Sequence, residues 1–200
     1  MEYHSGDQST AENYIFMLNA IVPRPVAWVS TVGPEGLFNL APFSFYNGVC
    51  AEPPILSVSI ARRAIEKKDT LRNIESSGEF VVSVVTESMA VAMNESSASF
   101  PPHVSEFEQV GLTPVPARIV HAPLVRESPI NMECRLFRLI EIGTPPKGST
   151  LVLGEIVHYH IDEGIMTNAK IDFKKFIPLG RLGKEWNTGI KNLFSLKRPR

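Results

Sequence analysis

Short runs of apolar and β-branched residues, separated by prolines and turn residues, set the rhythm of this chain. Residues 26–32 are rich in Val, Ala and Trp, residues 33–36 have turn chemistry, and an apolar stretch resumes over residues 37–40. This order predicts a β-hairpin. Further strands are predicted over residues 55–61, 80–86, 134–142 and 151–161.

Several of these runs have apolar residues on both strand faces rather than at alternate positions alone. Continuous apolar strands favour a closed barrel, or a sheet whose second face is covered by another layer or subunit. Sixteen prolines rule out long helices over most of the chain. We therefore expect a mainly β protein forming one domain over residues 1–200.

Two segments have helical rather than strand-like patterns. Asp69 precedes an apolar pair and Gly78 follows it, which predicts a helix capped by Asp69 and ended by Gly78. A second short helix is predicted over residues 87–94, with Ser88 as its cap. The proline-rich stretch 96–124, with a possible helical turn over 105–110, is typical of a lid, a binding loop or a partner contact.

Composition narrows the range of functions. A net charge of −1 argues against nucleic-acid binding. Cys50 and Cys134 stand far apart, so they suggest no disulfide or thiolate metal site, and both are expected in the core. The N-terminus lacks a basic signal-peptide region, and the apolar run 14–22 is too short to span a membrane. We expect a cytoplasmic protein.

Two further motifs carry little functional weight. Lys147 precedes Gly148 and prolines flank it, so residues 143–150 read as a hairpin turn rather than a phosphate-binding loop. His158 and His160 should share one strand face, which leaves a metal site open. We favour a polar strand face opposite buried Val157, Tyr159 and Ile161, because no third ligand is near in sequence, and we predict no metal ligands.

The stretch between Arg24 and Thr70 contains the candidate chemistry. Residues 39–44 offer an amide, a hydroxyl and backbone groups that suit the edge of a neutral heteroaromatic ring. Arg62, Arg63 and the run 66–70 then lead into a helix start, where cations and free N–H groups can bind phosphate. Together they describe a mononucleotide site, such as one for FMN, although an exposed charged turn explains the basic run equally well.

An ordered set of short motifs resembles the flavin reductase-like, FMN-binding split-barrel family, in its flavoredoxin-like branch. The set extends over nearly the whole chain, and it comprises PRPVAWVST at 23–31, NLAPFS at 39–44, PP at 53–54, KDT at 68–70 with NI at 73–74, GEFVV at 78–82, EF at 106–107 with GL at 111–112, EC at 133–134, GEIV at 154–157 and GRLG at 180–183. Trp186 departs from the tyrosine expected there.

The resemblance implies a six-stranded Greek-key split barrel with a few short helices, which dimerises and holds FMN near the subunit interface. In that family the flavin ring lies against segments matching Ser30, Thr31 and residues 39–44, and the phosphate is met by residues matching Arg62, Lys68 and Thr70. The candidate cofactor-binding residues are Arg24, Ser30, Thr31, Asn39, Leu40, Ala41, Pro42, Ser44, Arg62, Lys68, Thr70 and Arg181.

These observations favour an FMN-dependent oxidoreductase that takes reducing equivalents from NADH or NADPH. The cofactor supplies the chemistry, so no side chain is given a catalytic role. The acceptor could be free flavin, a partner protein, a metal ion or a small molecule. The alternative is a non-catalytic flavin-binding or ligand-sensing barrel that uses the same pocket.

Overall fold

The structure is a computed structural model that describes residues 1–62, 67–101, 103–144 and 146–199. Arg63 and Glu66 of the predicted basic run lie outside the described residues. The helices are α1 (Thr10–Ala20), α2 (Asp69–Ser77), α3 (Ala90–Glu95) and α4 (Glu106–Gln109). The longer strands are β2 (Ala27–Val32), β3 (Phe38–Phe43), β4 (Tyr46–Ala51), β5 (Pro54–Ala61), β6 (Glu79–Val84), β9 (Ile130–Ile142) and β10 (Ser149–Ile161).

Seven further strands of two or three residues complete the secondary structure. They are β1 (Arg24–Pro25), β7 (Pro114–Val115), β8 (Leu124–Val125), β11 (Met166–Thr167), β12 (Lys170–Ile171), β13 (Leu179–Arg181) and β14 (Asn187–Gly189). Among the described helices, none is long and apolar enough to cross a membrane.

One antiparallel sheet dominates the fold, with the strand order β3-β2-β6-β9-β10-β5-β4. Val29 and Phe43 from one end of the sheet share a core with Leu56 and Val58 from the other end. The sheet is therefore curled so that its outer strands enclose one core, and the predicted split-barrel class is confirmed. The sheet has seven strands rather than six, because the exposed segment β4 also pairs with β5.

A second apolar cluster explains why strand β2 is apolar on both faces. Trp28 and Leu40 pack on the outer face of β2 and β3 against Met89, Met93 and Phe107. These partners come from the segment that follows β6. The segment after β6 thus covers the barrel on this side. The fold is therefore both a barrel and a sheet whose second face is covered by another layer, the two arrangements that continuous apolar strands favour.

The helix predictions are correct in position but not in capping. Gly78 ends α2 in the left-handed conformation, with φ 70°, as predicted. The N-cap is Lys68 rather than Asp69, because Lys68 is still extended and Asp69 already lies in the first turn. The second predicted helix is split into a 3-10 turn, Glu87–Met89, and α3, and the Ser88 hydroxyl bonds that of Thr86 instead of a backbone N–H. The helical turn expected over 105–110 is α4.

Helix α1 has no counterpart in the predictions. Its start carries a capping box, in which the Ser9 hydroxyl accepts from the Glu12 N–H and the Glu12 carboxylate accepts from the Ser9 N–H. None of its residues is buried, and Tyr14, Phe16 and Met17 are all exposed. The capping box is the feature of the sequence that could have predicted this helix. The apolar run 14–22 by itself indicated only a segment too short to span a membrane.

Candidate functional site

Two connected hollows lie along strand β3, and we refer to them together as the β3 groove. The narrow hollow has a volume of about 130 Å³ and is lined by Val26, Pro42, Phe43, Ser44, Met93, Asn94, Ser97 and Arg181. The polar hollow has a volume of about 290 Å³ and is lined by residues of β3, the start of α2, residues 96–100 and Glu106. Pro42 and Ser97 line both hollows, so the groove is continuous.

Seven of the predicted cofactor-binding residues line this groove. They are Asn39, Ala41, Pro42, Ser44, Lys68, Thr70 and Arg181. Sequence positions more than a hundred residues apart therefore converge on one concave surface. Which atoms of a ligand they contact stays a prediction.

The other five predicted residues have side chains that do not line the groove. The Arg24 guanidinium is buried and donates to the backbone oxygens of Leu18, Ile21 and Leu182 at 2.6–2.7 Å. Ser30, Thr31 and Leu40 are buried, and the Ser30 hydroxyl donates to the Pro123 carbonyl. The Arg62 guanidinium forms an ion pair with Glu141. Arg24 and Ser30 thus have buried structural hydrogen bonds rather than positions in the lining of the groove.

Strand β3 can include a proline because it is the edge strand of the sheet. The Leu40 N–H points away from β2 and donates to the Glu106 carboxylate at 2.9 Å. Pro42 follows two residues later and faces the same outward direction, where the β2 ladder requires no donor. The backbone of β3 therefore presents an unpaired edge to the groove.

The start of α2 forms the cationic end of the groove. Lys68 precedes the first turn, and no described side chain caps the helix there. The Lys68 ammonium lies 5.1 Å from the centre of the Phe43 ring, a cation–π contact that places the charge beside β3. Uncapped N–H groups and a nearby cation make this end of the groove attractive to an anion.

A hydrogen-bond network centred on Asn39 joins the two sides of the polar hollow. The Asn39 side-chain oxygen accepts from the Thr70 hydroxyl at 2.9 Å and from the Thr31 hydroxyl at 3.3 Å. The Asn39 amide nitrogen donates to Glu106 at 2.8 Å. Strand β3, helix α2 and helix α4 are therefore linked through one side chain.

Glu106 and the wall formed by residues 96–100 are functional candidates that sequence reasoning missed as site residues. Burial raises the pKa of Glu106, hydrogen bonds from the Leu40 N–H, its own N–H and the Asn39 amide oppose this effect, and the charge of Asp69 adds to the increase. The motif at 106–107 contributed to the family resemblance. Nothing in the sequence, however, indicated that Glu106 reaches β3.

The two histidines of β10 meet a carboxylate from the neighbouring strand. Glu133, His158 and His160 have ligand atoms within 4.8 Å of one another. A bulge between Ile156 and His158 shifts the alternation of β10, which leaves Tyr159 half exposed instead of buried as expected. A third group, distant in sequence, therefore lies beside the two histidines in the folded chain.

The hydrogen bonds of Glu133 show what this cluster does. One of its oxygens accepts from His160 at 2.6 Å and from the Arg118 N–H, and the other accepts from the N–H groups of Ile119 and Val120. With two partners on each oxygen, a metal ion would have to displace existing bonds. The geometry therefore favours an anchor for residues 118–120 over a metal centre.

Two other expectations concern single residues. Cys134 is buried, but Cys50 is exposed because it lies on the edge strand β4, so its prediction as a core residue is wrong. Trp186 is 68% exposed in the loop between β13 and β14. It lines neither hollow of the groove.

Known proteins are similar to this chain in sequence and in structure. The sequence model of the family described as flavin reductase like domain matches residues 18–176. An uncharacterized protein of Halalkalibacterium halodurans is 39% identical over 202 residues, which cover 100% of this chain and 97% of the relative.

Two solved structures superpose closely. Nitrilotriacetate monooxygenase component B from Bacillus cereus has a TM-score of 0.94 and 37% identity, over 98% of both chains. The 2-nitrobenzoate 2-nitroreductase of Pseudomonas fluorescens has a TM-score of 0.90 and 28% identity, over 100% of this chain and 96% of that one.

Proposed function

This chain belongs to the flavin reductase-like domain family, and from that premise we propose that it is an oxidoreductase that binds FMN in the β3 groove. It takes reducing equivalents from NADH or NADPH and passes them to a small-molecule or free flavin acceptor. The observation that carries the proposal is the distribution of groups in the groove, with Lys67, Lys68 and Arg72 beside Asp69 at the start of α2, and a narrow hollow along β3 in which Arg181 is the one charged side chain among the described residues. That arrangement suits a ligand with a phosphate at one end and a largely neutral ring at the other.

The residues at α2 fit the phosphate. Lys68 supplies a positive charge, the first turn supplies N–H donors, and the Thr70 hydroxyl lies in the same hollow. Charge-assisted hydrogen bonds of this kind contribute about 1.5–3 kcal/mol each. We therefore expect the protein to bind FMN more tightly than riboflavin.

The residues along β3 and β13 fit the ring. The backbone edge around Pro42 and the Ser44 hydroxyl can meet the donors and acceptors of the ring edge. The Arg181 guanidinium is held by the Asn187 side chain at 3.2 Å and by the Lys184 carbonyl at 2.9 Å. This cation at the narrow hollow favours negative charge on a reduced ring. When bound, FMN supplies the hydride-accepting chemistry.

We propose further that the protein is a homodimer whose second copy completes the groove. Large apolar side chains of α1, of β9 and of the C-terminal segment are exposed, and they include Tyr14, Phe16, Phe137, Ile142, Phe194 and Leu196. A monomer rarely leaves so much apolar surface uncovered. The cytoplasmic location stays a prediction.

The names of two similar structures bear on the acceptor. One of the similar structures is named as a component of a monooxygenase and another as a nitroreductase. The second name favours a small-molecule acceptor. A flat aromatic acceptor would lie against the exposed face of the flavin ring, where the nicotinamide of NADH or NADPH would also lie.

Reconstitution with FMN followed by a steady-state assay tests the proposal. We expect a yellow protein with flavin absorption bands and oxidation of NADH or NADPH that depends on bound FMN. A protein that binds FMN but oxidises neither nucleotide would be the non-catalytic flavin-binding barrel. A protein that binds no flavin would overturn the proposal.

A further inference from the structure

We refer to the described residues of the range 97–105 as the wall segment, and its first four residues border the outer side of the β3 groove. Ser97, Ala98, Ser99 and Phe100 line the polar hollow from this side. Most of the described residues of the wall segment are exposed. A buried polar side chain anchors each of its two ends.

The first end is fixed at Ser96, which is buried. The indole N–H of Trp28 donates to the Ser96 hydroxyl at 2.9 Å, and that hydroxyl donates to the Met93 carbonyl at 2.8 Å. Trp28 is itself fully buried. This end therefore starts from a rigid point on the outer face of β2.

The second end is fixed at Glu106, which is also buried. One carboxylate oxygen accepts from the Asn39 amide at 2.8 Å, and the other accepts from the Leu40 N–H at 2.9 Å. Both donors belong to β3, which is the opposite wall of the groove. The carboxylate thus connects the two walls through polar contacts, beside the apolar packing of Phe107 against Phe38 and Leu40.

We propose that Glu106 is a positioning residue for the flavin, because it ties the wall segment to β3 and so sets the width of the groove. The inference rests on the proposed flavin site. It assigns to Glu106 no contact with the flavin. Its effect should extend over the whole groove, whereas Lys68 acts on the phosphate alone.

The ionised state of Glu106 is the one that holds both donors. Burial raises the pKa of this carboxyl, and the charge of Asp69 acts in the same direction. Other charged or titratable groups around it are Arg72 and Lys68 at the start of α2, His103 in the wall segment and Glu35 in the turn before β3. Protonation of Glu106 removes an acceptor, so the groove should loosen as the pH falls.

Titration of FMN and of riboflavin into the wild-type protein and the Glu106→Gln variant tests this inference. A glutamine side chain has one acceptor oxygen, and its amide would oppose a donor, so only one of the two bonds survives. We expect the Kd for both ligands to rise by about tenfold. Glu108→Gln, on the exposed face of the same short helix, should leave both Kd values unchanged.

The pH dependence separates positioning from simple destabilisation. Riboflavin is used for this because it lacks a phosphate that titrates. The wild type should bind riboflavin less tightly as the pH falls. Glu106→Gln should bind riboflavin more weakly than the wild type, and its affinity should not depend on pH. His103→Gln should show the same dependence of riboflavin affinity on pH as the wild type. Equal affinity and equal pH dependence in the wild type and Glu106→Gln would overturn the inference.

A second variant covers the case in which Glu106→Gln does not fold. Ser96→Ala releases the other end of the wall segment and should weaken both ligands in the same way. If Ser96→Ala folds and binds FMN and riboflavin as tightly as the wild type does, the inference fails while the proposed function stands. If the wild type itself binds no flavin, the proposed function fails.

Discussion

The His160 ring nitrogen Nε2 lies 2.6 Å from a carboxylate oxygen of Glu133, a residue with no exposed surface. The same carboxylate accepts three backbone N–H groups from residues 118–120. Burial by itself would raise the pKa of Glu133, but the hydrogen bonds from His160 and from these N–H groups outweigh it and lower the pKa to about 2. This pair thus fastens the long segment 96–124 to the barrel.

A first prediction concerns acid stability. Because the folded-state pKa of Glu133 lies below its ordinary value of 4.5, its contribution is fully present above pH 4.5 and is lost as the pH falls towards 2. Glu133→Gln should lower the free energy of unfolding by about 3 kcal/mol at neutral pH. Urea unfolding at several pH values measures this.

The difference between Glu133→Gln and the wild type should shrink steadily below pH 4.5. The exposed Glu163→Gln variant should show no such difference at any pH. A Glu133→Gln protein as stable as the wild type at neutral pH would show that the carboxylate is not an anchor.

A second prediction concerns the two histidines. Replacing His158 and His160 together with Gln should leave the flavin content and NAD(P)H oxidation within a few-fold of the wild type, because neither side chain lines the β3 groove. A small loss of stability is expected because the bond to Glu133 changes. Retained flavin with a hundred-fold loss of turnover would instead indicate a metal or acceptor site at this cluster.

A third prediction concerns the phosphate end of the groove. Lys68→Ala and Thr70→Val should each weaken FMN binding by about ten- to a hundred-fold, since each removes a hydrogen bond worth about 1.5–3 kcal/mol. Riboflavin should bind equally to the wild type and both variants. Fluorescence titration measures both ligands.

Lys174→Ala removes an exposed lysine elsewhere on the chain and is the control for net charge. It should bind FMN as the wild type does. If Lys68→Ala and Thr70→Val both keep the wild-type affinity, the phosphate lies somewhere other than the start of α2.

A fourth prediction concerns the oligomeric state. Light scattering at micromolar concentration should report about twice the chain mass of 22.2 kDa. The exposed apolar side chains of α1, β9 and the C-terminal segment require a cover, which a second copy would supply. A monomer that still binds FMN would contradict the idea that the partner completes the groove.

Local patterns made much of the fold predictable. The hairpin formed by β2 and β3, the strand β5 and the end of α2 at Gly78 follow from turn chemistry and apolar runs. Strand β4 could not be read this way, because it is an exposed edge whose residues follow no apolar alternation. Its pairing depends on β5 alone.

The candidate site was predictable to the extent that its residues lie in short motifs. Residues 39 and 41–44 of β3 and its end, and residues 68–70, line the groove together. Arg24 and Ser30 form buried hydrogen bonds with Leu182 and Pro123, which are distant in sequence. Sequence patterns therefore could not reveal these bonds. Glu106 was missed as a site residue for the same reason, since only the folded chain brings it to Asn39.

The most direct test of the central claim is rapid anaerobic mixing of the FMN-loaded protein with NADH and with NADPH. The account predicts that the flavin absorption band is bleached by at least one of them, at a rate no slower than steady-state turnover. A fully FMN-loaded protein whose absorption band is bleached by neither nucleotide would contradict it.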